Sequence, residues 1–250
     1  MPRTGTAGRA ALAAMRRQGD GMKGFVLGCV TAVAIVAGGA LAMQGARPDQ
    51  PVLHPERVII GLDLSRSNPL IDNPAFAARV AQRIAAIVSR LGLASEVHVR
   101  TFGSYDPGSN GFSYDTVISV RARPEQVAAE IEQLITNTPR LVASGRWRSQ
   151  QKTNILAFLD NSVRSVGCGG MPTSIILASD GVEDSEYARL AQDDTLPAPD
   201  RQLYRGCARL AIFGLGQGTG SPVMTARLRR QWGGWAQAAG FGAFEGLNDW

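Results

Sequence analysis

From Arg57 onward the sequence predicts an α/β domain: a doubly wound, mostly parallel sheet with helices on both faces and one antiparallel strand. Three observations carry this. Short, largely apolar runs at 58–62, 174–178 and 210–213 have the composition of strands buried on both faces. Between such runs lie stretches with apolar residues at helical spacing, an alternation that builds parallel sheets by crossover. The exception is the pair 97–102 and 117–121, joined by a Gly/Ser/Asn-rich loop over 103–115 that lacks a helical pattern. That pair fits a hairpin, and so an antiparallel neighbour.

Each element has its own signal. Val58-Ile59-Ile60-Gly61-Leu62 is the first strand. Asn73 and Pro74 are a good N-cap and first helical residue, and Phe76, Val80, Ile84, Ile87 and Leu91 then repeat at helical spacing until Gly92. After the hairpin, Pro124 opens a helix with Val127, Ile131, Leu134 and Ile135 on one face. A further helix begins near Thr153 and carries Ile155, Leu156, Leu159 and Val163. Ser221-Pro222 starts the last helix, with Met224, Leu228, Trp232 and Trp235 facing inward. The expected order is β-α-β-β-α-α-β-α-β-α, including a helix between the last two strands. There is no internal repeat.

The 250 residues are 44% hydrophobic and 19% charged, with 29 Gly and 13 Pro. This excludes a disordered, collagen-like or disulfide-dense chain. A net charge of +5 and a pI near 9.6 raise the question of nucleic acid, but the charge is local. Residues 1–24 hold Arg3, Arg9, Arg16, Arg17 and Lys23 against Asp20, leaving +1 for all the rest. Phe25 to Met43 is an uncharged run of 19 residues, long enough to cross about 30 Å of hydrocarbon as a helix. Its basic N-terminal flank predicts a single-pass anchor with the N-terminus in the cytoplasm and the rest outside. Ala40-Leu41-Ala42 offers a signal-peptidase site, yet the basic region and the apolar run are both long for a cleaved signal. Cys29 lacks the preceding apolar stretch that lipoprotein acylation needs. The expected organisation is a basic arm (1–24), a transmembrane helix (25–43), a Pro-rich extended linker (44–56) and a folded domain (57–250). No nucleic-acid partner is expected.

Ligand sites of such sheets lie beyond the C-terminal ends of the strands. Asp63-Leu64-Ser65-Arg66-Ser67 follows the first strand, Ser179-Asp180-Gly181 follows the fourth, and Thr153 starts the helix before it. Three hydroxyls and two carboxylates from three loops are hard oxygen donors, suited to Mg²⁺, Mn²⁺ or Ca²⁺ and not to zinc. With mostly neutral donors the ion keeps positive charge and an open position, which an acidic side chain of a partner would fill.

This pattern resembles the metal-ion-dependent adhesion site of the von Willebrand factor A (VWA) domains: D-x-S-x-S, then a separate Thr and a separate Asp. The resemblance covers about residues 57–245. It implies that Ser65, Ser67 and Thr153 touch the metal while Asp63 and Asp180 act largely through bound water. Trp232-Gly233-Gly234-Trp235 with Ala239-Gly240 is similar to the last helix of bacterial VWA proteins. In one departure, Gln150, Gln151 and Lys152 stand where the family often has small Gly-rich residues; a lysine there would weaken metal binding or hold an anionic ligand. The competing account is that Asp63 and the serines only cap a turn and a helix.

Cys168 and Cys207 each precede a buried strand, and in this fold those strands should be neighbours, with both cysteines at the sheet edge opposite the metal site. Outside the cytoplasm a disulfide between them can persist; two separate buried thiols are the alternative. The glycines of 214–220 fail the G-x-G-x-x-G register and read as a strand-to-helix turn. His54 and His98 stand alone, His98 within a strand. The expected function is therefore a membrane-anchored domain facing the periplasm or outer surface of a bacterium, binding the Asp or Glu of a protein partner through a divalent cation. No catalytic residue is expected. A metal-assisted hydrolase would need a general base, for which Glu183 and Asp184 are the nearest candidates; a scaffold with a vestigial site is the third reading.

Overall fold

The computed structural model describes residues 53–104, 111–192 and 194–248. The basic arm, the apolar run 25–43 and all but the end of the linker lie outside the described residues. Among those described, no helix is long and apolar enough to cross a membrane.

Six strands form one sheet: β1 (Arg57–Asp63), β2 (Glu96–Phe102), β3 (Ser113–Val117), β4 (Thr173–Ala178), β5 (Cys207–Phe213) and β6 (Ala243–Leu247). Their order is β3-β2-β1-β4-β5-β6. All neighbours are parallel except β2 and β3, the predicted hairpin. Consecutive strands run outward in both directions from β1, so the order reverses between β1 and β4. That reversal leaves a crevice at their C-terminal ends.

Five helices cover the faces: α1 (Pro74–Val88), α2 (Pro124–Thr136), α3 (Thr138–Ala143), α4 (Ile155–Val166) and α5 (Pro222–Ala239). Caps fix where they start. The Asn73 side chain accepts a hydrogen bond from Phe76 N at 3.0 Å, and Ser221 Oγ accepts one from Met224 N at 3.2 Å. In each case a proline occupies the first turn. Alternate residues of β1 serve two cores. Val58, Ile60 and Leu62 pack with Phe76, Val80 and Ile84 of α1 and Val127 and Ile131 of α2. Ile59 faces the other way, among Ile155, Leu159, Ile175, Leu177, Trp232 and Trp235. Gly61 is required by a close approach: a Cβ there would lie 2.6 Å from Phe158 Cε1 on α4.

Three details depart from expectation. The third strand lies at Ser113–Val117, four residues earlier than read, because its pairing with Glu96–Arg100 fixes the register. No α-helix joins β4 to β5. The link is a 3-10 turn at Leu190–Gln192 and a stretch containing Pro197 and Pro199, residues that cannot supply helical N–H donors. α3 and β6 are additions to the expected order. Cys168, five residues before β4, and Cys207, the first residue of the neighbouring β5, form the expected disulfide, with Cα atoms 4.8 Å apart.

Candidate functional site

The oxygen cluster is assembled at the crevice between β1 and β4. Asp63 ends β1 and is fully buried, with both carboxylate oxygens engaged. Oδ1 accepts from Ser65 N at 2.8 Å, closing the turn that follows the strand, and Oδ2 accepts from Ser179 Oγ at 2.7 Å. The turn then brings Ser65 Oγ and Ser67 Oγ within 3.4 Å of each other, Ser65 buried and Ser67 exposed. Asn68 locks this loop to both strands: its Nδ2 donates to Asp63 O at 2.8 Å and to Ala178 O at 3.1 Å.

Asp180, 2% exposed, follows β4. Its Oδ1 accepts from Val182 N at 2.9 Å, and the Ser67 hydroxyl hydrogen-bonds to its carboxylate. Gly181, with φ +73°, turns the chain here, and Trp232 Nε1 donates to Gly181 O at 2.8 Å, anchoring the loop to α5. Thr153 is buried in the loop before α4. Its backbone exchanges two hydrogen bonds with Asp184, while Gln150 of the same loop bonds Leu64 and Arg66. The Thr153 loop thus lies between the other two, and all five predicted positions sit on loops laced to one another.

Burial sets the electrostatics. Removal from water pushes the Asp63 carboxyl up to about 6, against the hydrogen bonds from Ser179 and Ser65 that favour its charged form. Asp180 is raised to about 7, first by burial and then by the charge of Asp63. With carboxyls raised to about 6 and about 7 the pair holds about one proton near pH 6.5, and a divalent cation is the counter-ion that two carboxylates and three hydroxyls suit. The donor chemistry therefore fits such an ion, with Ser65, Ser67 and Thr153 as hydroxyl donors and the two aspartates supplying the charge. Asp63 also caps its turn, so the capping account describes part of its role.

Sequence reasoning missed two supporting residues and gave a third, Glu183, a different role, that of a candidate base. Ser179 bridges the carboxylate of Asp63 and the amide of Gly181, a hydrogen bond at 3.0 Å; its position beside Asp180 was the available signal. Asn68, one residue past D-x-S-x-S, was the second. Glu183 is the third. It is fully buried, its Oε2 accepts from Ile155 N at 2.7 Å and Leu156 N at 3.2 Å, and the Ser185 side chain also favours its charged form. It caps α4, whose own flanking residue Asn154 makes no side-chain cap. Burial raises its pKa to about 7.

Lys152 does not stand free beside the site. Its ammonium pairs with Asp184 Oδ1 at 3.0 Å. Gln150 packs on Gly103, where a Cβ would lie 2.6 Å from its amide oxygen. His98 lies in β2 between Asp115, 2.6 Å away, and Glu96, 3.4 Å away, a cross-strand cluster apart from the site. A cavity of about 480 Å³ between 196–199 and α5 shares no residue with the oxygen cluster.

No protein-family model matches the chain, and no curated protein does. Among solved structures it is similar to the manganese-loaded TRAP protein of Plasmodium vivax, at 17% identity and a TM-score of 0.40, over 72% of this chain and 63% of that one. It is also similar to the human COPII-coat protein Sec24c, at 11% identity and a TM-score of 0.36, over 80% of this chain and 30% of that one. The chain thus spans less than two thirds of either. Likenesses this distant leave the site to be judged on its own residues.

Among the described residues there is no group of three or more His, Cys, Asp or Glu side chains placed to hold a metal.

Proposed function

We propose that this chain is a membrane-anchored, exported VWA-type domain that binds a protein partner through a divalent cation held by Asp63, Ser65, Ser67, Thr153 and Asp180. One observation carries the reading: the three segments converge at the point where strand order reverses, with Ser65 and Ser67 hydroxyls adjacent and two buried aspartates behind them. The exposed Ser67 supports an ion open to solvent on one side, where a partner's Asp or Glu would complete the coordination. Mg²⁺ is the expected ion, with Mn²⁺ or Ca²⁺ as chemical equivalents. The apolar run 25–43 and its basic flank support a single-pass anchor in the cytoplasmic membrane of a bacterium, with the domain on the outer side.

A hydrolase at the same site has less support. Of the two carboxylates the sequence offers as a base, Glu183 is buried under the first turn of α4 and Asp184 is paired with Lys152. The test is crosslinking in membranes followed by purification, comparing the intact protein with Ser65→Ala/Ser67→Ala and with chelator. A partner captured by the intact protein and lost in both other arms is expected. Capture that ignores the serines and the chelator would overturn the cation-bridge reading.

A further inference from the structure

The domain has two opposite edges, and the lower one, at the N-terminal ends of the parallel strands, carries an unpartnered surface. Of the six large hydrophobic side chains exposed among the described residues, four lie there: Leu53 (55% exposed), Leu93 (60%), Val117 (53%) and Val120 (81%). The segments bearing them are joined. A Cβ on Gly92 would lie 2.8 Å from Leu53 Cβ. Glu96 N donates to Glu56 O, Ala94 N to Ile118 O and Ile118 N to Ser95 O. Exposed apolar residues scattered singly need no explanation, whereas a contiguous group marks an interaction surface.

Three exposed arginines, Arg90, Arg121 and Arg123, border these residues in sequence and have no carboxylate partner among the described residues. The exposed acids that border these residues in sequence are Glu56 and Glu125, since Glu96 is held by Arg57 and His98. Apolar side chains flanked by arginines are the composition of a surface that settles at a bilayer interface, where the guanidinium heads meet lipid phosphates and the stems and apolar groups lie deeper.

The chain outside the structure says what is near. It enters the domain at Leu53, on this edge, and nine residues separate Leu53 from Met43, the end of the apolar run. Nine residues span at most about 30 Å fully extended. If residues 25–43 cross the membrane, the lower edge cannot leave the neighbourhood of the bilayer. A short tether of this kind gives an effective concentration on the order of millimolar, enough to make a weak surface contact persistent.

We propose that the lower edge, through Leu53, Leu93, Val120, Arg90, Arg121 and Arg123, docks on the anionic surface of the membrane that anchors the chain. The proposal rests on the anchor reading given above. Docking sets the orientation of the domain. Asp63 lies at the far end of a seven-residue strand that begins at this edge, so the oxygen cluster is presented roughly 20 Å further out, facing away from the bilayer.

The test uses the full chain in a Cys29→Ser background, with the Cys168–Cys207 disulfide left oxidised. It is reconstituted in vesicles containing phosphatidylglycerol or in phosphatidylcholine alone. A fluorophore is placed at Val120→Cys or, as a control, at Val223→Cys, which is equally exposed at the start of α5. Lipid-borne quenchers are expected to quench position 120 and spare position 223 in the anionic vesicles. Replacing the three arginines by Gln should lower the ratio of docked to free domain on the order of 100-fold. Equal quenching at both positions in protein that stays with the vesicles after alkaline washing would overturn the docking alone. Loss of the protein from washed vesicles would overturn the anchor, and the docking with it.

Discussion

If Asp63 and Asp180 supply the charge of a cation site, proton and metal must compete for them, and the competition has a computable size. Burial raises the Asp63 carboxyl to about 6, and burial together with the charge of Asp63 raises Asp180 to about 7. Below those values the site holds protons that a cation must displace, so affinity rises with pH. Between pH 5 and pH 8 the higher group contributes about 100-fold and the lower about tenfold, together about 1000-fold or about 4 kcal/mol. Near pH 6.5 the pair holds about one proton, which each bound ion should release. Calorimetric titration with Mg²⁺ or Mn²⁺ at pH 5, 6.5 and 8, in two buffers of different ionisation enthalpy, reads affinity and proton release together. Asp180→Asn should remove the higher step, flatten most of the pH dependence and weaken binding at pH 8. An affinity that is level across this range, with no buffer-dependent heat, would refute the assignment of these two aspartates to a cation.

The same carboxyls affect folding. Their pKa values, and that of Glu183 at about 7, lie above those of the unfolded chain, so the folded state retains protons that the unfolded state releases as pH rises past about 4. The metal-free protein should be more stable near pH 5 than near pH 8, and saturating cation should reverse that order in thermal melts. Glu183→Gln keeps an acceptor for the amides of Ile155 and Leu156 and should remove up to about 3 kcal/mol of this pH dependence, whereas Glu183→Ala, which uncaps α4, should destabilise by about 1–2 kcal/mol in urea titrations at pH 5. Replacing Cys168 and Cys207 by Ser opens a loop closed over a separation of 39 residues. Loop-closure entropy puts the loss at about 4 kcal/mol, and a variant as stable as the oxidised parent would show that the bridge does not constrain the chain. Gly61→Ala, which drives a methyl into Phe158, should cost about 1–3 kcal/mol by overpacking, visible as a lower urea midpoint.

How much of this was legible beforehand depends on the range of the interactions. Central strands announced themselves because residues buried on both faces must be apolar throughout, as in Val58–Leu62 and Ser174–Ala178. Helix starts were legible where a cap and a proline are neighbours in sequence, as at Asn73-Pro74 and Ser221-Pro222. The hairpin is legible, but its second strand begins four residues before the run 117–121 that suggests it, because an edge strand with alternating exposure has no continuous apolar run to mark its limits. β6 was missed for the same reason: Ala243–Leu247 is a half-exposed edge. The five candidate positions stand out in the sequence because each is a polar residue in a loop beside the end of an element. Their supporting residues could not, since Ser179 reaches Asp63 across 116 residues and Glu183 caps a helix that begins 28 residues before it.

Glu183 shows why such pairings matter for function. Three carboxylates, Asp63, Asp180 and Glu183, are buried around one crevice, and the charge of Asp63 adds to the rise of both others. Structural stability alone would favour replacing them with neutral groups, because each buried charge must be compensated. Glu183 is partly compensated by the two amides at the start of α4. Asp63 has Ser179 and the Ser65 amide, and Asp180 has Ser67 and the Val182 amide. Hydroxyls and amides orient a carboxylate but do not neutralise it, and the described residues place no lysine or arginine ion pair on any of the three. The charge that balances Asp63 and Asp180 at neutral pH must then come from a proton or from a cation bound from solution, and the adjacent hydroxyls of Ser65 and Ser67 are donors that a cation would use and a proton would not need.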